Sequence, residues 1–504
     1  MRSGTSRPGE VGVDALRFAL AMELPRVSPL EATLQETLDE PAGGSKRDAR
    51  ADVSVLVLLW CRDEPERLGE AVHLPRGNDL YTIGRAVRAD DDGAVPLHFG
   101  QLRPGGRLDT GPLRSPHISR RQLGVSHDPS GGLRVEQMGP NALKLDSHTM
   151  TSGVVQAGGL IEVANRFVLL YTHRPASWLV AREPGLDDGF AFGAADRWGI
   201  VGESPAAWEL RRQAAFMAAC DEHVLVLGPS GSGKELVVQA IHGQSRRAGA
   251  PLVSRNAATL PETLIDAELF GNLRNYPNPG MPERAGLLGE ADSGALFLDE
   301  IGELPERMQA HLLRVMDRGE YQRLGESRVR RANLRILAAT NRDPGELKHD
   351  FLARFPHRLH VPGLDARAED VLLVARHLLH QIAANTPLLV APILRTGGQV
   401  LGAELAAALV GYRFRTHVRE LNELLWRALQ ANPGEVLAPP ADLLRTALPR
   451  PAELEPGPAV TAMTRETVQA VLERCGGIKE TAWRELGLRN RYQLHRVLRK
   501  LGLE

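Results

Sequence analysis

A chain of 504 residues is long enough for three or four domains, each with its own core. Hydrophobic residues make up 43% and charged residues 24%, the balance of a soluble globular protein, and a net charge of −1 excludes a global field toward nucleic acid or membrane. Three cysteines (Cys61, Cys220, Cys475) without a C-x-x-C exclude a disulfide framework and fit a reducing cytoplasm.

Residues 1–50 mix Gly, Ser, Pro and charge and are expected to be a flexible N-terminal segment, with Val13–Leu24 as a short amphipathic helix. Asp14 and Arg17 interrupt its apolar residues, so no signal peptide is read there. The longest apolar runs, such as Val55–Cys61, are too short to cross a bilayer. A cytoplasmic protein without a membrane partner is expected. Between 51 and 173, seven short β-rich runs (VSVLVLLW, DLYTIGR, RQLGVSH, GLRVEQM, ALKLD, LIEVANR and FVLLYTH) are separated by Gly, Asp, Pro and Ser clusters. That spacing predicts an all-β sandwich.

Gly84-Arg85, Ser119-Arg120 and Asn141, in that order, resemble the signature of a forkhead-associated (FHA) domain. That family is a β-sandwich whose end loops bind phosphothreonine peptides. The resemblance implies a phosphopeptide site at Arg85, Ser119, Arg120 and Asn141, and a phosphothreonine-containing protein as partner. The side chains suit that role, since Arg85 offers a planar fork to phosphate, Ser119 a hydroxyl, and Asn141 an amide for the peptide backbone. Gln122 stands where the family often has His, Ala142 where Gly usually follows the Asn, and the loop from Arg85 to Ser119 is long. The alternative is a sandwich that only packs or dimerises.

Residues 174–197, with Pro175, Pro184 and several glycines, read as a linker. The sequence HVLVLGPSGSGKE follows at 223–235. Its apolar strand, its glycine loop (Gly228, Pro229, Ser230, Gly231, Ser232, Gly233) and a helix starting near Lys234 make a phosphate cradle. Backbone N–H groups converge on phosphate oxygens only where side chains leave room. The helix N-terminus adds partial positive charge, and Lys234 reaches the outer phosphates. Glu235 stands where Ser or Thr usually offers a hydroxyl to magnesium. About 65 residues on, ALFLDEI at 295–301 predicts a strand beside the cradle that delivers Asp299 to Mg2+ and Glu300 to an attacking water. The expected cofactors are ATP and Mg2+.

From 198 to 432 the chain resembles the AAA+ ATPase module of the sigma-54-dependent transcription activators, bacterial ring-forming ATPases that remodel sigma-54 RNA polymerase. The resemblance rests on GESP at 202–205, ELFG at 268–271, ALFLDEIGELP at 295–305, AATN at 338–341 and VREL at 418–421. It implies an α/β subdomain over 198–365 and a helical lid over 366–432. In that family a Glu follows the loop Lys, which accounts for Glu235. By the same resemblance Asn256 holds the catalytic glutamate, Asn341 senses the nucleotide, and Arg419 contacts it from the lid. Two arginines six residues apart reach into the neighbouring subunit in that family; here LKHDFLARF places Lys348 and Arg354 at those positions. The implied assembly is a homo-oligomeric ring, with a dimer as a possible resting state. Lysine lacks the planar fork, so hydrolysis is expected to be weak.

At 275–280 family members carry G-A-F-T-G-A, whose Phe and Thr touch the sigma factor. This chain reads NYPNPG there, which predicts that it does not open sigma-54 promoters in the family manner. A proline-rich linker spans 433–462. The segment 463–504 shows three helical repeats with Gly487 at a sharp turn, which predicts a three-helix helix-turn-helix aimed at the DNA major groove. Its candidate contacts are Arg489, Arg491, Tyr492, Gln493, His495, Arg496 and Arg499, and it resembles the factor-for-inversion-stimulation (Fis) type of DNA-binding end found on the same activators. Three readings stay open at this point. They are a complete sigma-54 activator with phosphopeptide input, a DNA-binding regulator that has lost the polymerase contact, and a phosphopeptide-recruiting scaffold whose ATPase core only assembles.

Overall fold

Residues 52–61 form a strand whose apolar residues are buried on both faces, and this strand joins two parts of the molecule. The computed structural model describes residues 52–440 apart from 76, 78, 87–92, 105, 177–188, 262, 388–399 and 434–435; beyond them it describes 443, 465–474, 486 and 498. The expected N-terminal helix, linker residues 444–462 and every candidate DNA contact lie outside the described residues.

Two antiparallel-based sheets make the N-terminal sandwich. The larger has eight strands in the order 148–150, 143–145, 160–163, 167–175, 52–61, 71–74, 99–103 and 106–111; the smaller has five, in the order 152–155, 133–137, 123–127, 81–83 and 95–96. Leu56, Leu58 and Cys61 face the core between the sheets, with Leu123, Val135, Phe167 and Leu169. Val55, Val57 and Leu59 point the other way, as strand alternation requires. A bulge between Leu58 and Trp60 breaks the alternation and brings Trp60 to the same outer side. The strands at 71–74, 99–103 and 106–111 were not legible as strands in the sequence. The last two form a hairpin within the long loop between Arg85 and Ser119 and extend the outer edge of the larger sheet.

The outer face of that sheet is covered by the helices Val371–Asn385, Ala403–Gly411 and His417–Ala431. Val55, Val57, Trp60, Val168 and Leu170 share one contiguous apolar cluster with Leu372, Leu405, Leu409 and Leu425. Trp60 Nε1 donates to the carbonyl of Leu401 at 2.7 Å. Two ion pairs flank the contact, buried Arg174 with Glu369 and half-buried Arg103 with buried Glu203. Residues 189–197, read from sequence as the end of a linker, are pinned here: Arg103 lies over the rings of Phe190 and Trp208, 4.5 and 5.3 Å from their centroids.

The central part is a five-stranded parallel sheet in the order 252–256, 295–299, 335–340, 224–227 and 357–360, flanked by apolar layers on both faces. The acid-bearing strand is not beside the cradle strand, contrary to what the sequence predicts. Strand Arg335–Thr340 lies between them, pairing with both in parallel register. Among the described residues no helix is long and apolar enough to cross a membrane.

Candidate functional site

Strand Val224–Leu227 ends at Gly228, and the helix Lys234–Gly243 starts six residues later. Gly231 (φ 74°) and Gly233 (φ 97°) turn the loop through left-handed conformations that L side chains rarely adopt. At Gly231 a β-carbon would come within 2.1 Å of the Thr416 carbonyl oxygen, because the lid helix His417–Ala431 starts against the loop. There Val418 N–H donates to the Gly231 carbonyl at 3.0 Å, and Arg419 Nη1 donates to Ser230 Oγ at 3.2 Å. The lid motif and the glycine loop thus close on one another.

Lys234 is buried, and its ammonium donates to the loop carbonyls of Gly228 (3.1 Å) and Pro229 (3.4 Å). Burial pulls its pKa below the ordinary lysine range, opposed by the charges of Glu300 and Asp299 and assisted by Arg419. Ser232 Oγ is buried without a hydrogen-bond partner among the described residues. Both features suit a cradle that receives anionic oxygens. A cavity of about 500 Å³ opens over the loop, walled by Ile200, Asp299, Glu300, Arg367, His377 and Arg419.

Asp299 and Glu300 end the strand Ala295–Asp299, and Glu300 itself is left-handed (φ 50°). Its Oε2 accepts the backbone N–H of Asn341, which follows the strand Arg335–Thr340, at 3.4 Å. The carboxyl edge of the sheet therefore gathers the glycine loop, both acids and Asn341. Asn256 pairs in register with Asp299 on the edge strand, but its side-chain oxygen accepts the Ala258 N–H at 2.9 Å. Glu235, exposed on the first helical turn, lines the same cavity and accepts from Gln239 at 3.5 Å. Lys348 and Arg354 lie away from the cradle, each paired within its own chain. Lys348 Nζ is 3.3 Å from Glu306, and the Arg354 fork grips Asp317 through two nitrogens. Sequence reasoning missed Arg367, which is buried and lines the cavity. Its donor to the Val201 carbonyl (3.2 Å) depends on a contact 166 positions away, which no local pattern announces.

Residues 200–364 match the family model described as the Sigma-54 interaction domain. Over 513 residues the chain is 31% identical to the anaerobic nitric oxide reductase transcription regulator NorR of Escherichia coli O8, with 95% of each chain covered. It is 34% identical over 444 residues to the nitric oxide reductase transcription regulator NorR2 of Cupriavidus necator, covering 82% of this chain and 81% of that one. The chain belongs to the sigma-54-dependent transcriptional activator family. Among solved structures, NtrX of Brucella abortus in complex with ADP is 29% identical, with a TM-score of 0.43 and coverage of 61% of this activator and 70% of that chain.

In this activator the stretch 275–280 is the exposed tip of a loop pinched at its base, where Asn272 and Arg284 bridge. Asn275 accepts the Gly280 N–H at 3.0 Å, which closes the tip on itself. The Tyr276 ring lies against Gly325, where a β-carbon would meet it at 2.7 Å. One side of the ring packs on Gly325, while Tyr276 stays 45% exposed.

At the far end of the activator's sandwich, Arg85, Ser119, Arg120 and Asn141 converge. Arg85 N–H and Ala86 N–H donate to the carbonyls of Ser119 and Arg120, and Gly84 has no room for a side chain there, since a β-carbon would sit 2.3 Å from the Arg120 carbonyl oxygen. Arg85 Nε donates to the Ile118 carbonyl at 2.9 Å, and Asn141 Nδ2 to the His117 carbonyl at 3.0 Å. Gln122, fully buried, ties these loops together. Its Oε1 accepts from Asn141 Nδ2 at 2.9 Å and from Ser119 N–H at 3.4 Å, while its Nε2 donates to the Asn141 carbonyl at 3.3 Å. A glutamine thus holds the loops from the position where the resemblance led one to look for histidine.

Proposed function

We propose that this chain is a nucleotide-driven transcription regulator, in which an ATP-binding AAA+ core of the sigma-54 activator type carries a phosphothreonine-reading sandwich and a DNA-binding C-terminus. The observation that supports it most is the convergence of loop residues Ser230–Lys234, Asp299, Glu300 and Arg419 around one cavity, with the Asn341 N–H bonded to Glu300. The residues present fit ATP and magnesium: Gly231 and Gly233 turn the loop through left-handed conformations, Ser232 Oγ is buried with no hydrogen-bond partner among the described residues, and Lys234 Nζ bonds carbonyls of its own loop. The loop amides and Lys234 would hold the phosphates, and Asp299 the magnesium. Glu300 would accept a proton from water at its carboxylate, to which the Asn341 backbone N–H donates at 3.4 Å. Bound ATP supplies the free energy that drives the change of conformation. Arg354 and Lys348 act on a neighbouring subunit's nucleotide once assembly draws them from Asp317 and Glu306.

The self-closed tip at 275–280 supports a second part of the proposal: the regulator does not open sigma-54 promoters through that loop. The test is open-complex formation on a sigma-54 promoter with purified protein and ATP. Activation only after the hexapeptide GAFTGA is grafted into 275–280 is the expected result; robust activation by the wild type refutes it. A phosphothreonine peptide library against wild type and Arg85→Ala tests the sandwich, with binding lost in the variant. ATP turnover measured against protein concentration separates a working ring from a core that only assembles. A specific rate that rises with concentration is expected, and nucleotide binding without turnover at any concentration would favour the scaffold.

A further inference from the structure

At the end of the parallel sheet opposite the phosphate loop, three side chains from separate segments come together. Cys220 follows the last turn of the helix Pro205–Ala219, Glu222 stands two residues before the strand Val224–Leu227, and His357 opens the strand His357–His360. His357 pairs in register with Val224, so it shares a face of the sheet with Val224 and Glu222. The same helix covers that face, and Phe216 meets the His357 ring edge-on with centroids 6.0 Å apart. The thiol, a carboxylate oxygen and an imidazole nitrogen consequently lie within 4.8 Å of one another, with His357 Nε2 3.7 Å from Glu222 Oε2.

We infer that Cys220, Glu222 and His357 form a divalent-metal site selective for zinc. Tetrahedral zinc with bonds of roughly 2.0–2.3 Å holds its ligand atoms about 3.5 Å apart. Glu222, whose side chain is 59% exposed, can turn in to meet that spacing without backbone movement. A thiolate with an imidazole selects zinc over magnesium or calcium, and three protein ligands leave the fourth position to water or an outside ligand. The buried Arg335 guanidinium donates to the carbonyls of Glu222 (2.8 Å) and Met217 (2.7 Å), which fixes the backbone that carries the carboxylate and the end of the helix before Cys220. Cys61 is sealed in the sandwich core, its thiol pushed up to about 11 by burial, and does not compete. The site would bind the end of the helix to the two strands whose other ends reach Gly228 and Val361, and so would stiffen the base of the nucleotide subdomain.

The experiment uses the full chain, stripped with a chelator and desalted, then titrated with Zn2+ against a chromophoric chelator and with Co2+ as a spectroscopic stand-in. The expected result is one zinc per chain, a cobalt spectrum with a thiolate charge-transfer band, and an unfolding midpoint that climbs with free zinc. Cys220→Ser and His357→Gln should each weaken binding by about a hundredfold or more, exceeding the 10–100-fold range typical for loss of an outer-shell partner. Cys475→Ser should leave binding intact. Retained ATP binding by the two ligand variants shows that they are folded, and Glu222→Gln gives a milder third arm. Wild type that binds no more zinc than Cys220→Ser, a cobalt spectrum without the thiolate band, or loss of binding in Cys475→Ser would each overturn the site.

Discussion

Lys234 bonds two carbonyls of its own loop and feels the charges of two carboxylates, Asp299 and Glu300, at the end of strand Ala295–Asp299. Lys234→Ala is expected to weaken ATP binding at least a hundredfold, an effect of about 3 kcal/mol for a charge-assisted contact, read by equilibrium binding of labelled ATP. Glu300→Gln keeps the hydrogen bonds a carboxamide can make but removes the base, so nucleotide should bind normally while turnover falls by about 10²–10⁴-fold. For Arg354 the two alternatives differ in readout. If it acts between subunits, Arg354→Ala lowers the turnover rate by about a thousandfold with ATP affinity unchanged. If it serves only its surface pair with Asp317, the change in turnover is negligible and the stability change is below about 1 kcal/mol.

At the scale of elements, the strand Ala71–Leu74 carries an acid-sensitive group. His73 lies on the lid-facing side of the larger sheet, buried, and burial together with the charges of Arg174 and Arg107 lowers its pKa to about 3. The native state keeps it neutral, whereas the unfolded chain protonates it below about 6.5. The stability it contributes is therefore full above pH 6.5 and is lost as pH falls from about 6.5 toward 3, at about 1.4 kcal/mol per pH unit. Burial shifts His223, His242 and His417 in the same direction. Thermal melts at pH 7 and pH 5 check this, and His73→Leu should flatten the dependence. The ion pair of Arg174, on strand 167–175, is equally exacting: Arg174→Met leaves Glu369 buried without its cation, at a cost of about 3–5 kcal/mol in denaturant unfolding.

For the whole molecule the decisive feature is that the sandwich and the lid share one apolar cluster. Val55, Val57, Leu59, Trp60 and Leu170 cover lid helices that would otherwise present Leu372, Leu405 and Leu409 to water. Deleting residues 52–175 is therefore expected to yield an insoluble or aggregating ATPase core, checked by size-exclusion chromatography. Soluble, monodisperse core with intact ATP binding would contradict it.

Local patterns sufficed for the elements whose chemistry is contiguous. The strand, the glycine loop and the helix that starts at Lys234 lie within about twenty residues, and the apolar strand ending in Asp299 announces itself. The alternating sandwich strands were legible for the same reason: one buried face writes a period of two. Three things came only from the tertiary structure. Strand Arg335–Thr340 separates the cradle strand from the acid strand, because strand order in a parallel sheet follows helix crossovers that leave no mark on the strands themselves. Arg367 enters the cavity wall, and Gln122 holds the loops around Asn141, through partners far away in sequence or set by turn geometry. The union of sandwich and lid was coded in the continuous apolar run VLVLLW, but such a run states only that both faces of the strand are buried, and which surface buries the second face is decided by the fold of the other three hundred residues.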